Sequence, residues 1–135
     1  MKFTFVSVCI LKQKNKILFT KRPSKKYFGD FWEFPGGKLE NDETFEIAIK
    51  RELFEELGIK IDIKNLISLD VINHSYDKRN FIIMNVFLLK KWSGVIKKKD
   101  AQDFKWIKTS GPYPEKFLEG GLLILKRIKT KYYSI

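Results

Sequence analysis

The sequence predicts an α/β sandwich, a mixed β-sheet with helices packed on it. Short strand-like apolar runs are interspersed with two helical stretches at separate points of the chain, a pattern that argues for one layered domain. A 44% hydrophobic content, with 12 Phe and 3 Trp in 135 residues, supplies apolar material for one compact core. No internal repeat or linker interrupts it, so residues 1–135 are expected to form a single domain.

The elements follow in order. Phe3, Phe5, Ser7 and Cys9 alternate with Thr4, Val6, Val8 and Ile10, which predicts a first strand buried on both faces. The polar run from Lys12 to Lys16 turns the chain back into a second strand, Ile17 to Thr20. Pro23 to Asp30 reads as a loop, and Phe31 to Phe34 as a short aromatic strand stopped by Pro35-Gly36-Gly37. Asn41 or Asp42 is expected to cap a helix with Glu43 and Glu46 in its first turn, where acids suit the positive end of the dipole, and with its end near Gly58. Leu66 to Asn73 and Phe81 to Leu89 predict a hairpin around Asp77 to Asn80, with Phe104 to Ile107 as a further strand. A last helix is expected over Phe117 to Lys129, weakened by Gly120-Gly121, since each interior glycine costs about 1 kcal/mol.

Charge and cysteine usage narrow the class. The 27 Lys and Arg against 16 Asp and Glu give a formal net charge of +11, a balance that attracts nucleic acid, anionic membranes or phosphorylated small molecules. The cations are mostly Lys in scattered short runs such as Lys97-Lys98-Lys99, which favours a solvated surface over a dedicated polyanion site. No stable nucleic-acid partner is therefore expected. Cys9, the one cysteine, has no internal disulfide partner and lies in an apolar run, which fits a reducing cytoplasm. The apolar start is interrupted by Thr4 and Ser7 and lacks a small-residue cleavage site, so it reads as a strand and not as a signal peptide. No apolar stretch approaches the roughly 20 residues that span a bilayer, so no membrane association is expected.

The chemistry concentrates between Gly36 and Ile59. At about 100° per helical residue, Glu52, Glu55 and Glu56 share one arc of about 100°. Like charges at these spacings each cost about 0.2–0.5 kcal/mol unless a cation compensates them. Arg51 can pair with Glu55 but does not neutralise three acids, whereas a tight set of hard oxygen ligands suits Mg²⁺, with Mn²⁺ able to substitute. Gly36-Gly37 brings bare backbone near the start of that helix, where a phosphorylated ligand or metal can approach.

From Gly37 to Ile59 the chain reproduces the pattern G-x5-E-x7-R-E-U-x-E-E-x-G-U, with U apolar, through Gly37, Glu43, Arg51, Glu52, Leu53, Glu55, Glu56, Gly58 and Ile59. In this segment the sequence resembles the Nudix hydrolases. Trp32-Glu33-Phe34-Pro35-Gly36-Gly37-Lys38 is similar to the MutT-like form of the approach to that box. The resemblance implies a Nudix-type α/β/α sandwich and metal binding by Glu52, Glu55 and Glu56, with the carbonyl of Gly36 or Gly37. It also implies a supporting role for Glu43, orientation of the glutamates by Arg51, and a further acidic ligand at Asp100. Substrate contacts are implied at Val8, Arg22, Phe34, Gly36 and Lys38, with Val8 and Phe34 beside a purine and Arg22 on phosphate.

The activity so implied is hydrolysis of a nucleoside triphosphate to monophosphate and pyrophosphate by a monomer, with 8-oxo-dGTP ranked first as in enzymes that cleanse the pool of oxidised nucleotides before DNA replication. MutT-like proteins read the oxidised base with an Asn or Asp just before the last helix. The corresponding segment here is Phe117-Leu118-Glu119-Gly120-Gly121, which leaves Asn85 or Glu119 as substitutes. A pyrimidine triphosphate and the triphosphate end of RNA rank next. A non-catalytic nucleotide-binding domain on the same fold is the reading from another class.

Overall fold

A computed structural model gives the positions of residues 1–75, 77–101 and 103–131. Strands β1 (Lys2–Gln13) and β2 (Lys16–Lys21) form the first hairpin, followed by β3 (Trp32–Glu33) and β4 (Gly36–Lys38). Helix α1 (Phe45–Leu57) comes next, then β5 (Ile67–Ser75), β6 (Asn80–Leu89), β7 (Asp103–Lys108) and α2 (Glu119–Lys131). The sheet runs β3-β2-β1-β6-β5, with β4 added to β1 and β7 to β2. It is mixed because β1 runs parallel to β6 from Lys2↔Asn80 to Leu11↔Leu89, whereas the other pairs are antiparallel.

The two faces carry separate cores. Cys9, Leu11, Leu18, Phe87 and Leu89 pack under Ile49, Leu53 and Leu57 of α1, while Val8, Ile10, Phe19, Met84 and Val86 pack under Ile124, Leu125 and Ile128 of α2. The period-2 alternation of β1 produces this division. Only Ser7 to Leu11 is buried on both faces; Phe3 and Phe5 remain about half exposed, because α1 ends its cover near Ser7, whose hydroxyl donates to the Phe45 carbonyl.

Several boundaries differ from expectation for local reasons. The first hairpin tightens to a two-residue turn, Lys14-Asn15, with Lys14 at φ 56°. The helix is capped by Thr44, whose hydroxyl accepts the Ile47 N–H at 3.1 Å, and not by Asn41 or Asp42; Glu43 therefore precedes the helix and is outside its first turn. Gly58, at φ 73°, ends the helix as expected. The aromatic strand shrinks to Trp32–Glu33, and Gly36–Lys38, of which Gly36 and Gly37 were expected in a turn, pairs with Val6 to Val8 of β1. Phe117 bridges to Trp32 and α2 starts at Glu119, with both glycines in its first turn. Gly121 has a packing cause: a β-carbon there would stand 2.2 Å from the Phe117 ring. The second hairpin closes as expected, its turn held by Asp77, whose carboxylate accepts the N–H groups of Arg79 and Asn80.

Candidate active site

A cleft of about 390 Å³ opens between β4, the exposed side of α1 and the segment before β7. Its walls include Arg22, Glu33, Gly36, Gly37, Lys38, Arg51, Glu52, Glu55, Glu56 and Asp100. Leu53 and Leu57 anchor α1 in the core, and the three glutamates one turn around the helix face this cleft.

Arg51 is the hub of the acidic wall. Its Nε donates to Glu43 at 2.7 Å and one terminal nitrogen donates to Glu52 at 2.9 Å and Glu55 at 3.2 Å. The other donates to Glu43 at 2.9 Å and to the Lys38 carbonyl at 3.0 Å, while Glu40 lies 3.6 Å from the nitrogen that reaches Glu52 and Glu55. Glu43 also accepts the Glu40 N–H at 2.7 Å, and these bonds hold its carboxyl below the usual range. Glu43 thus clamps the loop before α1 to Arg51 instead of complementing the helix dipole.

Arg51 makes no bond to Glu56, whose neighbour in the acidic wall is Glu52. Glu56 lies on the buried side, with one carboxyl oxygen 3.4 Å from the Gly36 N–H, and among the described residues its other oxygen is buried without a hydrogen-bond partner. Burial, with Glu33 and Glu52 nearby, pushes its pKa well above the carboxylate range. Glu52 is raised too, by burial, against the pull of Arg51. Among the described residues no three acids stand in a finished ligand cage, since Glu52 and Glu55 are turned toward Arg51. The donor set nevertheless fits a hard cation: crowded carboxylates, one with an orphaned buried oxygen, incur a cost that a divalent ion removes.

The two glycines fit this crowding differently. A β-carbon on Gly37 would lie 2.4 Å from a Glu52 oxygen, and one on Gly36, at φ 146°, would lie 2.1 Å from the Ser7 carbonyl oxygen. Gly37 gives the carboxylate room and Gly36 lets β4 dock on β1. Asp100 joins the same cleft, brought there by its N–H bond to the Glu55 carbonyl at 3.2 Å.

An apolar hollow of about 190 Å³ adjoins the cleft. Val6, Val8, Phe34, Ile82, Met84 and Ile124 form its walls, with Leu118, Gly120 and Gly121 at the start of α2. Val8 and Phe34 do line it, yet both are almost wholly buried core residues, with Phe34 against Phe19 and Phe117. The two expected substitutes for the missing amide do not reach the hollow. Asn85 lies beside Ser7 on the α1 face of the sheet, its amide oxygen accepting from Ser68 at 2.9 Å. Glu119 points outward, with its carboxylate 4.0 Å from His74. Alternation along β6 causes the first outcome: Met84 faces the hollow and so Asn85 cannot.

Sequence reasoning singled out Arg22 and passed over its partner. Glu33 receives one guanidinium nitrogen of Arg22 at 3.2 and 3.3 Å, while Arg22 Nε donates to the Tyr27 carbonyl at 2.9 Å. Burial raises the Glu33 pKa to about 7 in spite of Arg22. The signal for it was a single acid inside the aromatic run Phe31-Trp32-Glu33-Phe34.

The chain is 41% identical over 107 residues, 79% of this chain and 78% of the relative, to an 8-oxo-dGTP diphosphatase of Buchnera aphidicola. It is 31% identical over 107 residues, 78% and 76% of the two chains, to a CTP pyrophosphohydrolase of Escherichia coli. A MutT NUDIX hydrolase of Burkholderia pseudomallei has the same fold, with a TM-score of 0.82 at 23% identity, covering 95% of this chain and 99% of that one. The NUDIX domain model matches residues 1–116, which hold every acid of the cleft wall, and the chain belongs to the NUDIX domain family.

Proposed function

We propose that the protein is a Mg²⁺-dependent nucleoside triphosphate pyrophosphohydrolase acting first on 8-oxo-dGTP and releasing the monophosphate and pyrophosphate. The observation that carries this reading is the acidic wall itself, where Glu52, Glu55 and Glu56 meet Gly36-Gly37 and where, among the described residues, no N–H or hydroxyl donor reaches one buried oxygen of Glu56. Glu52, Glu55 and Glu56, with the Gly37 carbonyl and Asp100, would hold the metal, and Mn²⁺ could replace Mg²⁺ because both accept hard oxygen donors. When bound, the metal neutralises triphosphate charge and polarises the attacked phosphorus.

The remaining steps belong to this chain's residues. Glu52, between Arg51 and Glu56, takes a proton from the water that attacks the β phosphorus; the bond from that phosphorus to the α,β-bridging oxygen breaks, leaving nucleoside monophosphate and pyrophosphate. Arg51 and Glu43 keep Glu52 and Glu55 in place. Arg22 and Lys38, at the margin of the cleft, hold the phosphates, and Val8 and Phe34 form the floor under the base. All these groups come from one chain, so a monomer, the state proposed, holds this set without a second copy.

A pyrimidine triphosphate is the second reading, favoured by the hollow's lack of an amide or carboxylate at its α2 wall. A panel of 8-oxo-dGTP, dGTP, CTP and dCTP, and triphosphorylated RNA, assayed for pyrophosphate and phosphate with Mg²⁺ and with EDTA, separates the readings. Metal-dependent pyrophosphate release from 8-oxo-dGTP well above dGTP is the expected result. Preference for CTP or dCTP would replace the substrate and keep the chemistry, and no turnover of any member would overturn the assignment.

A further inference from the structure

We propose that a lysine-lined groove at the closed end of the first hairpin binds single-stranded nucleic acid, in a salt-sensitive contact separate from the acidic cleft. This inference stands apart from the nucleotide reading above and does not depend on it.

Two adjoining spaces of about 660 and 320 Å³ share Gln13 and Lys90 as walls and together form the groove. Because β1 and β6 run parallel as far as Leu11↔Leu89, the residues that follow, Lys12 and Lys90, come to one wall, and the hairpin turn adds Lys14. The chain after β6 is bridged to the chain after α1. The Lys60 N–H donates to the Ser93 carbonyl at 3.0 Å and the Ser93 N–H to the Lys60 carbonyl at 2.8 Å, which fixes Lys60 and Lys91 on the same groove. Lysines that are scattered along the sequence are thus gathered by the sheet. Gln13 lies five residues along β1 from Val8, where β4 docks, which is about 17 Å at the rise of a strand, so the groove is a different place from the cleft.

The charge of this groove is uncompensated. Elsewhere exposed lysines have partners: Lys98 stands 3.5 Å from Asp103, and Lys105 lies over the Trp32 ring. Among the described residues none of Lys12, Lys14, Lys60, Lys90 and Lys91 is ion-paired. Asp62, the one acid among the described lining residues, is taken by Lys64, whose ammonium lies 3.5 Å away and whose N–H donates to the carboxylate at 3.1 Å. Spaced phosphates of a strand relieve the repulsion among such cations and release their own counterions. The groove also offers a ring. Trp92 lines it half-buried and is backed by Trp106, the two rings stacked with centroids 6.1 Å apart and 21° between planes, which gives a base a fixed partner to stack on. Gln13, Asn65 and Ser93 supply neutral donors and acceptors beside it. A membrane surface fits less well, because it needs exposed apolar side chains, and Ile61, the aliphatic residue of the lining, is buried.

The test titrates fluorescent single-stranded RNA and DNA of about 12 nucleotides, with 5′-hydroxyl ends and in EDTA, so that the acidic cleft meets neither a triphosphate nor a metal. Three proteins are compared: the wild type, a groove variant carrying Lys60→Gln, Lys90→Gln and Lys91→Gln, and a control carrying Lys50→Gln, Lys78→Gln and Lys116→Gln, which removes equal charge from exposed lysines outside the groove. The groove variant should bind about tenfold or more weakly at fixed salt, and its log–log salt slope should be shallower by about 2, for three lost contacts at about 0.7 each. The control should stay close to the wild type. Equal losses in the two variants would mean a diffuse attraction to net charge and would overturn the proposal, as would a wild type that binds neither strand at low salt. Vesicles containing phosphatidylserine complete the comparison: their capture by the wild type and not by the groove variant, without oligonucleotide binding, would reassign the groove to an anionic membrane. Turnover of free triphosphates in Mg²⁺ should be equal in all three proteins, and a fall in the groove variant alone would overturn the separation of groove from cleft. A wild type without any such turnover would count against the function proposed above and leave the binding result standing.

Discussion

Adding one methyl group to Gly36 or to its neighbour Gly37 should give opposite failures. At Gly37 the obstacle is the far end of the Glu52 side chain, which can swing away, so Gly37→Ala should fold with nearly unchanged melting temperature and lose turnover. At Gly36 the obstacle is the Ser7 carbonyl in the β1 backbone, and the φ of 146° is closed to alanine, so Gly36→Ala should lose about 3 kcal/mol or more of stability. Thermal melts beside steady-state kinetics check both, and a stable, active Gly37→Ala enzyme would remove Glu52 from the reaction. Glu56 gives a second residue-level prediction. Glu56→Gln removes a carboxyl whose ionisation is penalised in the folded state by burial and by Glu33 and Glu52, so the metal-free protein at neutral pH should gain about 1–3 kcal/mol while kcat falls by about 10²- to 10⁴-fold. Denaturant titration in EDTA, paired with turnover in Mg²⁺, tests that exchange of stability for activity.

Helix α1 serves as a carrier whose two sides do different work. Ala48, Ile49, Leu53 and Leu57 are buried and lock its rotation, which fixes Glu52, Glu55 and Glu56 against the cleft. Its carboxylate side is internally repulsive, so the start of the helix needs the Thr44 cap. Thr44→Ala should cost about 1 kcal/mol in the metal-free protein, with kcat at saturating Mg²⁺ close to wild type, because the cap lies at the far end of the helix from Glu55 and Glu56. Urea unfolding and kinetics decide this; a large loss of kcat would mean that the loop holding Glu43 depends on the cap. The periodicity of α1 was legible in the sequence because apolar and acidic positions repeat with the helical turn. The cap was not, because Asn41, Asp42 and Thr44 are all competent, and Arg51 selects among them by pulling Glu43 out of the helix.

For the molecule as a whole, the raised pKa values of Glu33, Glu52 and Glu56 link folding to pH. Glu33, Glu52 and Glu56 bind protons more readily in the folded chain than in the unfolded one. Such groups stabilise the fold fully below the unfolded pKa and lose that contribution as pH rises through the folded value, which for Glu33 is a window from about 4.5 to about 7. Glu43 and Asp77 have the opposite sign and withdraw their support only at more acid pH. The metal-free protein should therefore melt at a lower temperature at pH 7.5 than at pH 5. Mg²⁺ should restore stability mainly at the higher pH, with protons released on binding. Melting curves in EDTA and in Mg²⁺ across this range provide the check, and a metal-free melting temperature that rises from pH 5 to 7.5 would contradict the crowding of these acids.

By itself the sequence determined the layered fold, the order of its elements apart from the strand Gly36–Lys38, and the set of acids and glycines that forms the cleft wall. These depend on local regularities: period-2 and helical alternation, a glycine after a helix, and fixed spacings from Gly37 through Ile59, all of which survive in one dimension. The partners of those residues across the sheet were decided only in the tertiary structure. Gly36–Lys38 became a strand because β1 offered an edge at Val6 to Val8. Asn85 lies away from the apolar hollow because its register beside Ser7 turns it to the α1 face. Glu33 entered the site because β3 sets it beside Arg22. Contacts between residues far apart in the chain are fixed by strand register and by which face a residue occupies, and both are settled only when the two cores close on the sheet.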